Sequence, residues 1–188
     1  MPALDLTRIA LPTGVELDVA IAGDPNHPAI VLLHGFPESH RTWRHQIPEL
    51  AQDHYVIAPD QRGFARSSKP EGVENYAPAK PVADLIALAD HLGIGTFTLV
   101  GHDWGGAIAW EVARRHPEAL RTLSILNCPP GDVLAKTLRH NRKQLAMSWY
   151  MLFFQLPWLP EWYFRRDPQK AIEGGLFSVA KNRAVFTP

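Results

Sequence analysis

The sequence predicts a three-layer α/β fold on a mostly parallel sheet. Apolar strand-like runs alternate with helix-patterned segments along the chain. The run at 29–33 is continuously apolar, as a strand buried on both faces must be. Another apolar run, 97–100, passes straight into a helical pattern through Gly101-His102-Asp103-Trp104-Gly105-Gly106.

Taken in order, Val15-Glu16-Leu17-Asp18-Val19-Ala20 alternates as a half-exposed edge strand does. Asp24-Pro25-Asn26 makes a turn into the strand at 29–33, and residues 55–58 read as a short buried strand. The loop from Asp60 to Ser68 follows it, where Asp60 and Arg62 read as structural, pairing or orienting neighbouring turns. Val82, Leu85, Ile86, Ala89 and Leu92 lie at helical spacing, with Gly93 as the stop. A helix over 107–115 is ended by Pro117, and the next strand, 120–126, ends at Asn127. Asp132 reads as turn chemistry or a helix N-cap. The composition shifts after Pro130, which divides the chain into a core, 1–130, and the beginning of a helical lid, 131–188. Eight of the 18 aromatic residues fall between Trp149 and Phe164, where Pro157 and Pro160 break the segment into short helices. Packing of those rings on one another accounts for most of them.

The glycine-flanked Asp103 carries the chemistry. A strand feeding a helix through so tight a turn drives its central residue toward positive φ, and small neighbours are a steric demand of the turn. A serine attacking a saturated carbon leaves an ether, which does not hydrolyse. A carboxylate attacking that carbon leaves an ester, which water can cleave at the carboxylate's own carbonyl carbon. The competing reading makes Asp103 only the N-cap of the following helix.

A companion motif, His34-Gly35-Phe36-Pro37-Glu38-Ser39, follows the strand at 29–33. An oxyanion site needs two backbone donors, and the N–H groups of Phe36 and Trp104 are the expected pair. Gly35 allows close backbone approach, and Pro37 stiffens the loop.

These motifs, with Asp60-Gln61-Arg62-Gly63-Phe64 between them, make the chain resemble the soluble epoxide hydrolase branch of the α/β-hydrolase family over roughly residues 14–165. The resemblance implies the α/β-hydrolase fold, a small-molecule epoxide substrate, and opening to a diol through an Asp103 ester without cofactor or metal. It also implies that Tyr150, in Ser148-Trp149-Tyr150-Met151-Leu152-Phe153, offers a phenol proton to the epoxide oxygen. Plain packing of Tyr150 is the alternative. Phe36, Trp104, Trp149 and Phe153 are the expected substrate-lining side chains. Haloalkane dehalogenases share the Asp-Trp-Gly turn, but many carry asparagine at the position of Phe36, whose ring has no donor for a halide. Fluoroacetate dehalogenases tend to have arginine in place of Trp104.

In this family the acid and histidine partners follow the nucleophile. Only His116 and His140 follow Asp103, and neither has an apolar strand before it. The expectation is therefore an N-terminal part of a longer hydrolase, lacking the histidine base. A catalytically inactive piece acting as an interaction module is the reading from another class.

Composition narrows the rest. At 188 residues the chain suits one domain, with 46% hydrophobic and 20% charged residues in the soluble globular range. Net charge is zero and no basic cluster stands out, which removes the electrostatic case for nucleic acid. A lone cysteine, Cys128, suits the cytoplasm. The N-terminus has no basic region or apolar core of a signal peptide, and no apolar run reaches membrane-span length.

Overall fold

The structure is a computed structural model that describes residues 4–179. Its chain divides into two compact units, Met1–Gly131 and Asp132–Pro188.

The first unit is built on one six-stranded sheet, with strands β1 (Leu4–Ala10), β2 (Glu16–Ala22), β3 (Ala29–Leu33), β4 (Tyr55–Pro59), β5 (Phe97–His102) and β6 (Leu120–Leu126) in the spatial order β1-β2-β4-β3-β5-β6. The pairs β4·β3, β3·β5 and β5·β6 are parallel, whereas β1·β2 and β2·β4 are antiparallel. The segment read as an edge strand is thus second in the sheet. Its outer neighbour, β1, is the exposed edge, whereas β2 is mostly buried, with Glu16 its one exposed residue.

Alternate residues of a strand face opposite ways, so a strand covered on both sides must be apolar throughout. Every residue of β3 is buried. Val31 and Leu33 join a core with Leu99, Leu85, Leu88 and Val112 on one face. Ile30 and Leu32 join another with Trp43, Ile47 and Val56. The helices supplying these layers are α1 (Gln46–Leu50), α2 (Ala79–His91) and α3 (Trp104–Arg115). α2 stops where expected, with Gly93 at φ 69°. α3 starts three residues earlier than its apolar pattern, because Gly105 and Gly106 form its first turn.

Among the described residues the second unit contains short helices: α4 (Gly131–His140), α5 (Arg142–Met147), α6 (Trp149–Phe153), α7 (Leu159–Arg166) and α8 (Pro168–Val179). α4 takes in Asp132, so this residue lies in the first helical turn rather than at the cap. Pro160 likewise opens α7, where its missing N–H costs nothing, and does not break it.

Candidate active site

β5 delivers its last residue, His102, to a turn whose pivot is Asp103 at φ 52°, ψ −117°. Such a conformation costs a non-glycine residue about 1–3 kcal/mol, so its surroundings must enforce it. The Asp103 N–H donates to the carbonyl of Leu126 at 3.2 Å, and its own carbonyl accepts from Ala107 N–H at 3.1 Å. A Cβ at Gly101 would stand 2.5 Å from the Gly105 oxygen, and one at Gly105 would stand 2.5 Å from the Leu33 oxygen. The glycines therefore let helix α3 seat against two strand ends. Asp103 stands at the N-cap position of α3, but its carboxylate makes no capping bond to the helix.

That carboxylate faces the other motif. Phe36 N–H donates to Asp103 Oδ1 at 3.0 Å. Gly35 makes the approach possible, since a Cβ there would lie 2.5 Å from Asp103 Cβ. The two segments are 67 positions apart in the chain and meet because β3 and β5 are parallel neighbours ending side by side. Trp104 is the first residue of α3, so its N–H has no intrahelical acceptor. The side chains of Phe36 and Trp104 are 42% and 60% exposed, an apolar surface beside the carboxylate.

Behind the turn runs a polar chain that motif reading left unassigned. Glu38 Oε2 accepts from Gly35 N–H at 2.9 Å and contacts His102 Nδ1 at 3.1 Å, while His102 Nε2 lies 3.4 Å from Asn127 Nδ2. Asn127, in the left-handed region at φ 56°, follows the end of β6. Glu38 and His102 both lie inside the recognised motifs; their pairing depends on two loops converging, which no spacing rule encodes.

Asp60 and Arg62 do not pair with each other. Asp60, almost fully buried, accepts from His40 N–H at 2.6 Å, and Arg62 forms a two-point bond to Asp84 on α2 at 2.5 and 2.6 Å. Gln61 between them bonds His34 twice: its N–H to Nε2 at 3.3 Å, and its side-chain amide to the carbonyl at 2.6 Å. Burial holds the His34 imidazole below its ordinary pKa, against the opposing pull of the Gly35 carbonyl, Asp60 and Glu38. Burial, and then the Asp103 charge, push the Cys128 thiol up, so it is no nucleophile.

His116 caps the far end of α3, about 20 Å along the axis from Asp103, and pairs with Glu118. His140 ends α4 in the second unit. Tyr150, Trp149 and Phe153 share helix α6. Phe153 packs edge-on to Phe154 and Tyr163 at 5.6 and 6.0 Å, and Trp149 leans on it at 6.1 Å. Tyr150 and Trp149 are exposed. Among the described residues no three His, Cys, Asp or Glu side chains are grouped to hold a metal ion, and no helix is long and apolar enough to cross a membrane.

A family model described as alpha/beta hydrolase fold matches residues 28–169, which include both motifs. The chain belongs to this family. Among α/β hydrolases, it is 37% identical to "Epoxide hydrolase A" of Mycobacterium tuberculosis over 90% of this chain and 54% of that protein. It is 35% identical to human "Epoxide hydrolase 4" over 86% of this chain and 44% of the relative. The chain spans about half the length of these curated relatives. A solved hydrolase structure described under novel epoxide hydrolases from metagenomes of hot environments is 48% identical, with TM-score 0.78, over 82% of this chain and 52% of that one. The fold expectation therefore stands: an α/β hydrolase resembling epoxide hydrolases.

Proposed function

We propose that this α/β hydrolase opens epoxides through an ester on Asp103. The single observation that carries the reading is the hydrogen bond from Phe36 N–H to Asp103 Oδ1, made at a strand-to-helix turn of positive φ. The names of the relatives point the same way.

The roles of Asp103, Phe36 and Trp104 rest on that geometry; those of Tyr150, Trp149 and Phe153 rest on the resemblance to epoxide hydrolases. With Oδ1 held by the Phe36 N–H, Oδ2 attacks the epoxide carbon. The C–O bond breaks and its electron pair passes to the ring oxygen; by resemblance to epoxide hydrolases, Tyr150 is assigned as the phenol that supplies the proton to that alkoxide. Phe36 and Trp104 offer apolar surface beside Asp103, and Trp149 and Phe153 are assigned to the substrate by the resemblance alone. In the second half-reaction, water adds to the ester carbonyl carbon. Negative charge then develops on Oδ1, where Phe36 N–H and Trp104 N–H receive it. Collapse returns the carboxylate and releases the diol. Halide displacement is disfavoured because the Phe36 ring offers no hydrogen bond to a leaving anion.

Water addition needs a base. The imidazoles within the two motifs are both engaged at each ring nitrogen: His34 with Gly35 and Gln61, His102 with Glu38 and Asn127. His116 is at the wrong end of its helix. We therefore expect the 188-residue chain to stall at the ester. Cys128, a free thiol, suits a cytoplasmic setting.

Incubation with an aryl epoxide such as styrene oxide, followed by intact-protein mass spectrometry, tests this. The expected result is a slow gain equal to one epoxide, absent in Asp103→Ala. Adduct formation in Asp103→Ala sinks the ester assignment; sustained diol production sinks the stalled step.

A further inference from the structure

The Phe36 N–H reaches Asp103 only if the peptide between Gly35 and Phe36 is turned the right way. In a trans peptide the C=O and N–H point in opposite directions across one rigid plane, so fixing the Gly35 carbonyl fixes the Phe36 N–H. The Gly35 carbonyl accepts from His34 Nδ1 at 2.8 Å and from the Glu38 backbone N–H at 3.1 Å, so the imidazole is the shorter of two holds on it. A carbonyl only accepts, so Nδ1 must carry the proton. The other ring nitrogen, Nε2, meets the Gln61 backbone N–H at 3.3 Å. A backbone N–H only donates, so Nε2 must be bare.

We propose that His34 is a positioning residue: a neutral imidazole, locked by Gln61 as its Nδ1–H form, that aims the Phe36 N–H at Asp103. The inference rests on the proposed role of Asp103 for its catalytic consequence, but not for its geometry.

Four features support it. His34 is completely buried, so water cannot substitute for either partner. The Gln61 side-chain amide also grips the His34 carbonyl at 2.6 Å, which fixes the preceding peptide plane as well. Flipping that amide would set its oxygen against the carbonyl, so its orientation is determined. The ring edge packs on Phe64, with centroids 4.9 Å apart. Charged neighbours do not undo the neutral state. Asp60 Oδ1 lies 3.9 Å from Nε2, beyond hydrogen-bond reach, and is already taken by His40; Glu38 is occupied by Gly35 and His102. An imidazolium would turn an N–H against the Gln61 N–H.

The test uses the full chain, labelled with ¹⁵N. Ring ¹⁵N–¹H correlation spectra should show His34 protonated at Nδ1 and unchanged from about pH 5.5 to 8, although free imidazole titrates within that window. The Phe36 amide proton should lie downfield, and should move upfield in Asp103→Asn. In His34→Asn, whose amide places a donor near the Nδ1 position, that resonance should persist. In His34→Leu, where only the Glu38 N–H still holds the Gly35 carbonyl, it should move upfield, with Asp103 ester formation slowed about tenfold, against less than about threefold in His34→Asn. An Nε2–H ring, a charged ring at neutral pH, or an unmoved Phe36 amide in His34→Leu overturns the proposal. Should His34→Leu fail to fold, the tautomer of the unmodified chain still decides. The expected spectra without any epoxide adduct would refute the ester chemistry and leave the positioning role intact.

Discussion

At Gly35 one hydrogen atom decides whether the two motifs can meet. Its α-carbon sits so close to Asp103 that an added methyl would be 2.5 Å from Asp103 Cβ and 2.8 Å from Oδ1. Neither neighbour can yield cheaply: Asp103 is pinned in a left-handed turn, and the His34–Phe36 backbone is tied to Gln61 and Glu38. Gly35→Ala should therefore push the Phe36 N–H away from Oδ1. We expect ester formation with an aryl epoxide to fall about a hundredfold, because misplacement near 1 Å has consequences of that order. Circular dichroism should meanwhile report a folded chain. A variant that alkylates as fast as the parent would mean that the Phe36 donor is not needed.

At the level of elements, the loop after β4 depends on a buried ion pair. Arg62 and Asp84 are 4% and 3% exposed and joined by two charge-assisted bonds, and Arg62 also donates to the Asn75 carbonyl. This clamps the loop carrying Gln61 to helix α2. Removing one partner strands the other charge in the interior. Asp84→Asn should cost about 3–5 kcal/mol, read as a lowered denaturant midpoint. The apolar double replacement Arg62→Met with Asp84→Leu should cost less, since no charge is then left unpaired. A double variant as unstable as Asp84→Asn would show that the pair contributes more than its desolvation removes. The sequence exposed both residues but not their partnership, because Arg62 lies in a loop and its partner is one turn into a helix 22 positions later.

For the molecule as a whole, the governing feature is the edge of the sheet. β6 is paired with β5 on one side and is the last strand in the order among the described residues. Its Leu126 is 42% exposed, and the chain has no net charge to keep copies apart. An unpaired, weakly charged strand edge templates further pairing. We expect light scattering to show concentration-dependent self-association, reduced by Thr122→Lys, which places a charge on an exposed edge position. A monodisperse monomer with cooperative unfolding would contradict this.

What the sequence determined by itself is the local part. Apolar continuity marked β3 and β4, glycine spacing marked the turn at Asp103, and the His-Gly-Phe-Pro run marked the donor loop, because each is imposed by sterics or burial over a few consecutive residues. β2's flank position, the Glu38–His102–Asn127 chain and the double bond from Gln61 to His34 were decided only by the tertiary structure. Each joins segments brought together by strand order, and polar partnership across such distances leaves no periodic trace in the sequence. The tautomer of His34 belongs to the same class: it is set by a backbone N–H, which every residue but proline possesses and which no side-chain pattern reveals.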